Sequence, residues 1–253
     1  MIFNQLLELV DENTAIRLLD PGDKQNVPAT YTLLQKLVEL DKLPQPQNPT
    51  KAAWRNTLVF YAKTLSFFFQ PFVDSLMNIE DAVASLSTYA HLLYAIYKQH
   101  RFACITSALY YDSMSIVRSV CFTIAKLQTV DIHSNLKFYS LFESTDREEL
   151  LFSDVRTQDH AQNVDILQLT IKLADGALTR AAFQRNSNWD HGHCRLSMDG
   201  ALGVDHNNPK SWKGKVEVSR VVWKRDWLEG PTKANQVRNK LTGKVNGVIL
   251  ERI

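Results

Sequence analysis

Between Ile79 and His100 the residues Ala82, Val83, Leu86, Tyr89, Ala90, Leu93, Ile96 and Tyr97 recur at helical spacing and make an apolar face too wide for one neighbour to cover. A helix of this kind persists only with several others packed around it, so the chain has to build a bundle. Two more long helical patterns flank it, Ala52 to Phe69 and Thr106 to Gln128. Pro71 is expected to end the first of them. Upstream, Leu6, Leu9, Val10, Ile16 and Leu19 point to a helix that stops at the turn Asp20-Pro21-Gly22-Asp23. A second helix then starts near Pro28, with Tyr31, Leu34, Leu37, Val38 and Leu40 on one stripe. Residues 42–50 carry Pro44, Pro46 and Pro49 among Gln and Asn, which no helix can continue through, and read as a semi-rigid linker. At 253 residues and 45% hydrophobic, the chain can bury a substantial core.

Farther on, Asn135 to Glu143 is ambiguous between a helix end and a strand, and Val164 to Arg185 reads as a helix weakened by Gly176. Lys215 to Val221 alternates with period two, which argues for one strand, and Trp223 to Trp227 opens a short helix. The expected fold is mainly α: a helical bundle followed by a small, irregular, basic C-terminal tail containing one short strand. It divides into residues 1–143 (bundle, with the Pro-rich linker 42–50), 144–185 (an acidic helix and the helix after it) and 186–253 (the basic, Trp-containing tail).

The net charge of +2 is too small to indicate a nucleic-acid partner, but the basic excess lies after about residue 207. Cys104, Cys121 and Cys194 are widely spaced and odd in number, which suits a reducing, intracellular setting, nuclear or cytoplasmic. The opening Met1-Ile2-Phe3-Asn4-Gln5 does not read as a secretory signal, and the apolar run Phe60 to Phe72 is interrupted by Lys63, Gln70 and Pro71. A membrane is therefore not an expected partner. Glycine-rich phosphate loops, Gly-x-Ser-x-Gly elbows and His-Glu-x-x-His are all missing from the sequence, so nucleotide hydrolysis, serine hydrolysis and zinc proteolysis gain no support. His191, His193 and Cys194, with Asp190, Asp205 and His206, are zinc-ligand types, but their spacing matches no common structural site, and no metal is assigned to them.

The densest chemistry lies at Ser144 to Thr157. Thr145 and Glu148 make a capping box, so a helix should start at about Asp146. On it Asp146, Glu149, Ser153 and Arg156 draw one polar stripe, a pattern that is equally that of an ordinary solvated face. The stripe resembles the Asp-x-x-Glu-x-x-Phe-Gly-x-x-Arg pattern near the end of the catalytic domain of P-element and hAT transposases. Leu18 to Pro28, Leu109-Tyr110-Tyr111-Asp112, Val204 to Gly214 and Trp227-Leu228-Glu229-Gly230 resemble, in the same order, the recurrent blocks of a basidiomycete (mushroom-type) fungal protein family of transposon origin. Two positions depart from the transposase pattern: Ser153 stands for Gly, and Glu148 for an apolar residue.

The resemblance implies that Glu149 is the counterpart of the third catalytic carboxylate, with Asp146 and Arg156 beside it. Such enzymes use two divalent cations held by several carboxylates, and one carboxylate alone is a poor Mg²⁺ site. No cofactor is then expected for this chain. Mg²⁺ would enter only if an upstream RNase H-like segment supplied the two missing aspartates. Residues 1–143 would correspond to the helical insertion domain, and the whole to a transposase-derived, catalytically incomplete fragment. The partners this implies are DNA through the tail, an upstream transposase segment, or a second copy.

In the tail, Lys210, Lys213, Lys215, Lys224 and Arg225 lie among Trp189, Trp212, Trp223 and Trp227. They suit a phosphate-binding surface with stacking rings. They suit equally a tail stapled to the bundle by its tryptophans, in which case the chain is a helical protein-interaction module.

Overall fold

The computed structural model describes residues 2–22, 27–130, 136–143, 165–186 and 212–242. Among them the protein is a mainly α-helical bundle of eight helices: α1 (Ile2–Leu6), α2 (Glu12–Leu19), α3 (Val27–Glu39), α4 (Pro49–Val73), α5 (Ile79–His100), α6 (Ser107–Val130), α7 (Ile166–Arg185) and α8 (Trp223–Thr242). None of them is long and apolar enough to cross a membrane.

Local chemistry sets the helix starts. Asp11 caps α2 by accepting from the Thr14 N–H at 3.0 Å, and Asp165 caps α7 from Gln168 N–H at 2.7 Å. Asn48 caps α4 by accepting from Thr50 and Lys51 N–H, with Pro49 in the first position, so the Pro-rich linker ends by nucleating the next helix. Two apolar cores result. Leu6, Ala15, Leu34, Leu37, Leu40, Val59 and Ala62 join α1–α3 to the first half of α4. Val83, Leu86, Tyr89, Leu93, Tyr110, Val117, Val120 and Ile124 form the second, between α5 and α6. At the edge of the first core Arg55, 1% exposed, donates from each of its three nitrogens, Nε to Gln5 Oε1 (2.7 Å), Nη1 to the Pro44 carbonyl (2.8 Å) and Nη2 to the Glu8 carboxylate, which pairs a buried charge.

α5 is the central rod. It is buried not only along the expected apolar stripe but also at Ser85, Ser87 and Thr88. α4 covers one side of it and α8 the other, α5–α8 being the most extensive helix pairing among the described residues.

Three expectations need correction. Pro71 does not end the first long helix, which runs on to Val73. A proline lacks the N–H that would bond the carbonyl four residues back, here Phe67, and Ser85 Oγ of α5 donates to that carbonyl instead at 2.9 Å. The Pro71 carbonyl in turn accepts from Ser140 Oγ. The strand expected at Lys215 to Val221 is, among the described residues, a single antiparallel bridge between Lys137 and Glu217 followed by a 3₁₀ turn at Val218–Arg220. The alternation has another cause: Val216, Val218 and Val221 are buried in the bundle while Lys215 and Ser219 face outward. Finally, the short helix expected at Trp223 extends over 20 residues and passes through Pro231.

Candidate functional site

Asp146, Glu149 and Arg156, with the Thr145 capping box, lie outside the described residues, as do Lys210 and the group His191, His193 and Cys194. The described part of the predicted site is residues 212–242, and here the backbone does most of the work. Lys213 and Gly214 donate N–H groups to the Ser75 carbonyl (2.8 and 2.9 Å), and Lys215 N–H donates to Asn78 Oδ1 (3.0 Å). The Lys215 carbonyl accepts from Ile79 N–H at 2.8 Å, so this segment caps the N-terminus of α5. At Gly214 a Cβ would overlap the Met77 carbonyl, and only glycine admits so close a crossing. The chain then pairs with residues 136–138 through Phe138 N–H to Val216 O and Val218 N–H to Leu136 O, both 2.9 Å.

Gln128 of α6 holds the next stretch. Its Nε2 donates to the carbonyls of Val218 (2.7 Å) and Val221 (2.9 Å), while its Oε1 accepts from Trp223 Nε1 at 2.7 Å. Trp223 and Trp227 pack against the second core, and Trp212 meets Tyr139 edge-on with centroids 6.4 Å apart. Asp226, 2% exposed, reaches back to the Val222 N–H at 2.7 Å and closes the start of α8.

The predicted cations divide accordingly. Lys213, Lys215 and Lys224 have exposed side chains, whereas Arg225 is paired with Asp226. Arg220 forks onto both carboxylate oxygens of Glu80, its Nε at 3.1 Å from each. Burial pushes the Glu80 carboxyl up, but the Arg220 hydrogen bonds, a backbone hydrogen bond and the Arg220 charge together hold it below the ordinary glutamate range. Lys240, near the end of α8, joins Lys63 of α4 on Asp41, at 3.0 and 2.7 Å.

Beyond the α5–α8 contact lies an open cleft of about 300 Å³ between α4, α5 and α8. Phe60, Leu92, Ile96 and Ala234 give it apolar walls, and His91, Tyr94, Asn235 and Arg238 bring polar groups. Its neighbour Ser87 donates to the Trp227 carbonyl at 2.7 Å, the carbonyl that Pro231 leaves without a helical partner. A Cβ on Gly230 would overlap the Ser87 side chain. The sequence reading missed Gln128, Ser87 and Arg220 because their partners lie 90 to 140 residues away. Gly230-Pro231 inside a helical pattern is the one signal that could have pointed to a close crossing there. Among the described residues no three His, Cys, Asp or Glu side chains gather as a metal site.

No family model, curated protein or solved structure matches the chain.

Proposed function

We propose that the chain is a transposase-derived helical module that works by contact with another protein and has no phosphoryl-transfer chemistry of its own. The observation that carries this reading is the use of the basic segment inside the fold. Arg220 and Arg225 are paired with Glu80 and Asp226, and Lys240 shares Asp41 with Lys63, while Trp223 and Trp227 pack inward instead of offering rings to bases. Cations already paired with carboxylates release fewer counterions from a phosphate backbone, which weakens the electrostatic attraction that dominates nucleic-acid affinity. For a protein partner, Tyr111 and Phe122 of α6 stand 61% and 66% exposed and suit the aromatic anchors of an interface.

The exposed Lys213, Lys215 and Lys224 favour a second reading, a DNA-associated fragment that functions beside an upstream transposase segment. Fluorescence anisotropy of a random DNA duplex over a salt series separates the two. The interaction reading expects no binding at micromolar protein, and a photo-crosslinker at position 122 that traps a discrete partner, lost when Tyr111 is changed to Lys. A steep salt-dependent DNA affinity, abolished by replacing the three lysines together, would transfer the function to DNA.

A further inference from the structure

We propose that α7 pairs with α7 of a second copy of this chain, antiparallel, along Leu167, Ile171, Ala174, Leu178 and Ala181. These five residues step by four and three in alternation, the spacing that keeps one line of side chains facing a partner helix. Leu167, Ile171 and Leu178 are 70%, 54% and 69% exposed, and no described helix packs extensively on α7. Gly176, roughly 180° around the helix from the middle of that line, is buried. The helix therefore buries its glycine side and leaves the apolar line to solvent.

Charge and size along the line choose the occupant. From Leu167 to Ala181 it carries no charge, so an acidic or basic partner finds nothing to pair with, whereas a like apolar line fits it. Arg185, exposed, takes the next position. Parallel copies would set Arg185 against Arg185. Antiparallel copies lay its stem on Leu167 of the second copy and bring its guanidinium to the exposed Asp165 that caps that helix. In the same register Ile171 meets Ala181 and Leu178 meets Ala174, each large side chain against a small one, and a two-fold axis makes every contact twice. Asp175 of the two copies comes together at one edge of the seam, which limits the affinity, and a seam of this length is short. The dimer is therefore weak, with a Kd on the order of 100 μM. The pairing is independent of the partner contact proposed above, because Tyr111 and Phe122 belong to α6.

Sedimentation equilibrium of the intact chain from about 5 to 500 μM tests it. The expected result is a monomer–dimer equilibrium. Leu178→Glu is expected to weaken pairing about tenfold or more without moving the urea midpoint of a dilute sample, and Tyr111→Lys to leave pairing unchanged. Arg185→Ala separates the two orientations. Pairing weakened about twofold or more supports the antiparallel arrangement, whereas unchanged pairing, or the tighter pairing that relief of a parallel Arg185 repulsion would give, overturns it. A chain still monomeric at about 500 μM, or dimerisation undiminished by Leu178→Glu, would overturn the proposal. So would a Leu178→Glu midpoint lowered as by a core change, since the chain's own residues would then cover the line.

Discussion

Ser85 and Ser87 stand roughly 200° apart around α5 and hydrogen-bond in opposite directions to the same kind of target. Each donates to a carbonyl that a proline inside a neighbouring helix has deprived of its N–H, Phe67 below Pro71 in α4 and Trp227 below Pro231 in α8. Both serines are nearly fully buried, so neither carbonyl has water as an alternative.

Ser87→Ala should therefore destabilise the protein by about 1–3 kcal/mol, the cost of an unsatisfied buried acceptor. In a Pro231→Ala background, residue 231 regains an N–H for the Trp227 carbonyl and the same change should cost clearly less. Urea denaturation of the four proteins measures the coupling. Strict additivity would refute this account of the helix-interior proline.

The Glu80–Arg220 fork makes stability depend on pH with a definite sign. Because the folded carboxyl is held below its ordinary value of 4.5, its contribution is fully present above that value and is lost as pH falls through the lowered one. Glu80→Gln should flatten that part of the acid limb and lower stability at neutral pH. Unfolding free energies of both proteins from pH 7 to pH 3 should converge on the acid side, and parallel curves would count against the fork.

Gln128→Leu keeps the bulk of the side chain and removes three hydrogen bonds to the C-terminal segment. The Trp223 indole and two carbonyls lose a partner, with an expected cost of about 2 kcal/mol or more. Limited proteolysis should then cut within residues 212–222 before it cuts elsewhere. An unchanged cleavage pattern and denaturation midpoint would show that the clamp is dispensable.

Burial pushes the Cys121 thiol up to about 11, two units above its ordinary 9.0. Since the thiolate is the nucleophile, iodoacetamide at pH 8 should label Cys121 roughly a hundredfold more slowly in the folded protein than in urea. Peptide mass spectrometry reads the rate at that residue, and equal rates would place the thiol in water.

What could be read from the sequence follows the range of the forces involved. Helical periodicity is local, so α4, α5 and α6 were legible from the spacing of Val83, Leu86, Tyr89 and their counterparts. Pro71 was misleading because a proline breaks a helix only when nothing else takes the freed carbonyl, and the serine that takes it belongs to another helix, as the one opposite Pro231 does. The period of two at Lys215 to Ser219 reflects burial of Val216 and Val218 beside a single bridge, and it breaks at Val221, three residues on. For the candidate site, Arg225 is the right residue type for a phosphate, but its pairing depends on where Asp226 is buried, which no spacing rule supplies. Asp146, Glu149 and Arg156 remain readings of the sequence alone.

The bridge between Lys137 and Glu217 closes a ring of chain between two positions 80 residues apart in number (217 − 137). Closing such a ring depends on its length only logarithmically, about 0.6 kcal/mol for each doubling. A chain cut before Lys213 loses the cap of α5, the acceptor of Ser87 and the partner of Gln128 together. During synthesis, α5 cannot finish packing until α8, more than 120 residues behind it in the chain (223 − 100 = 123), has left the ribosome.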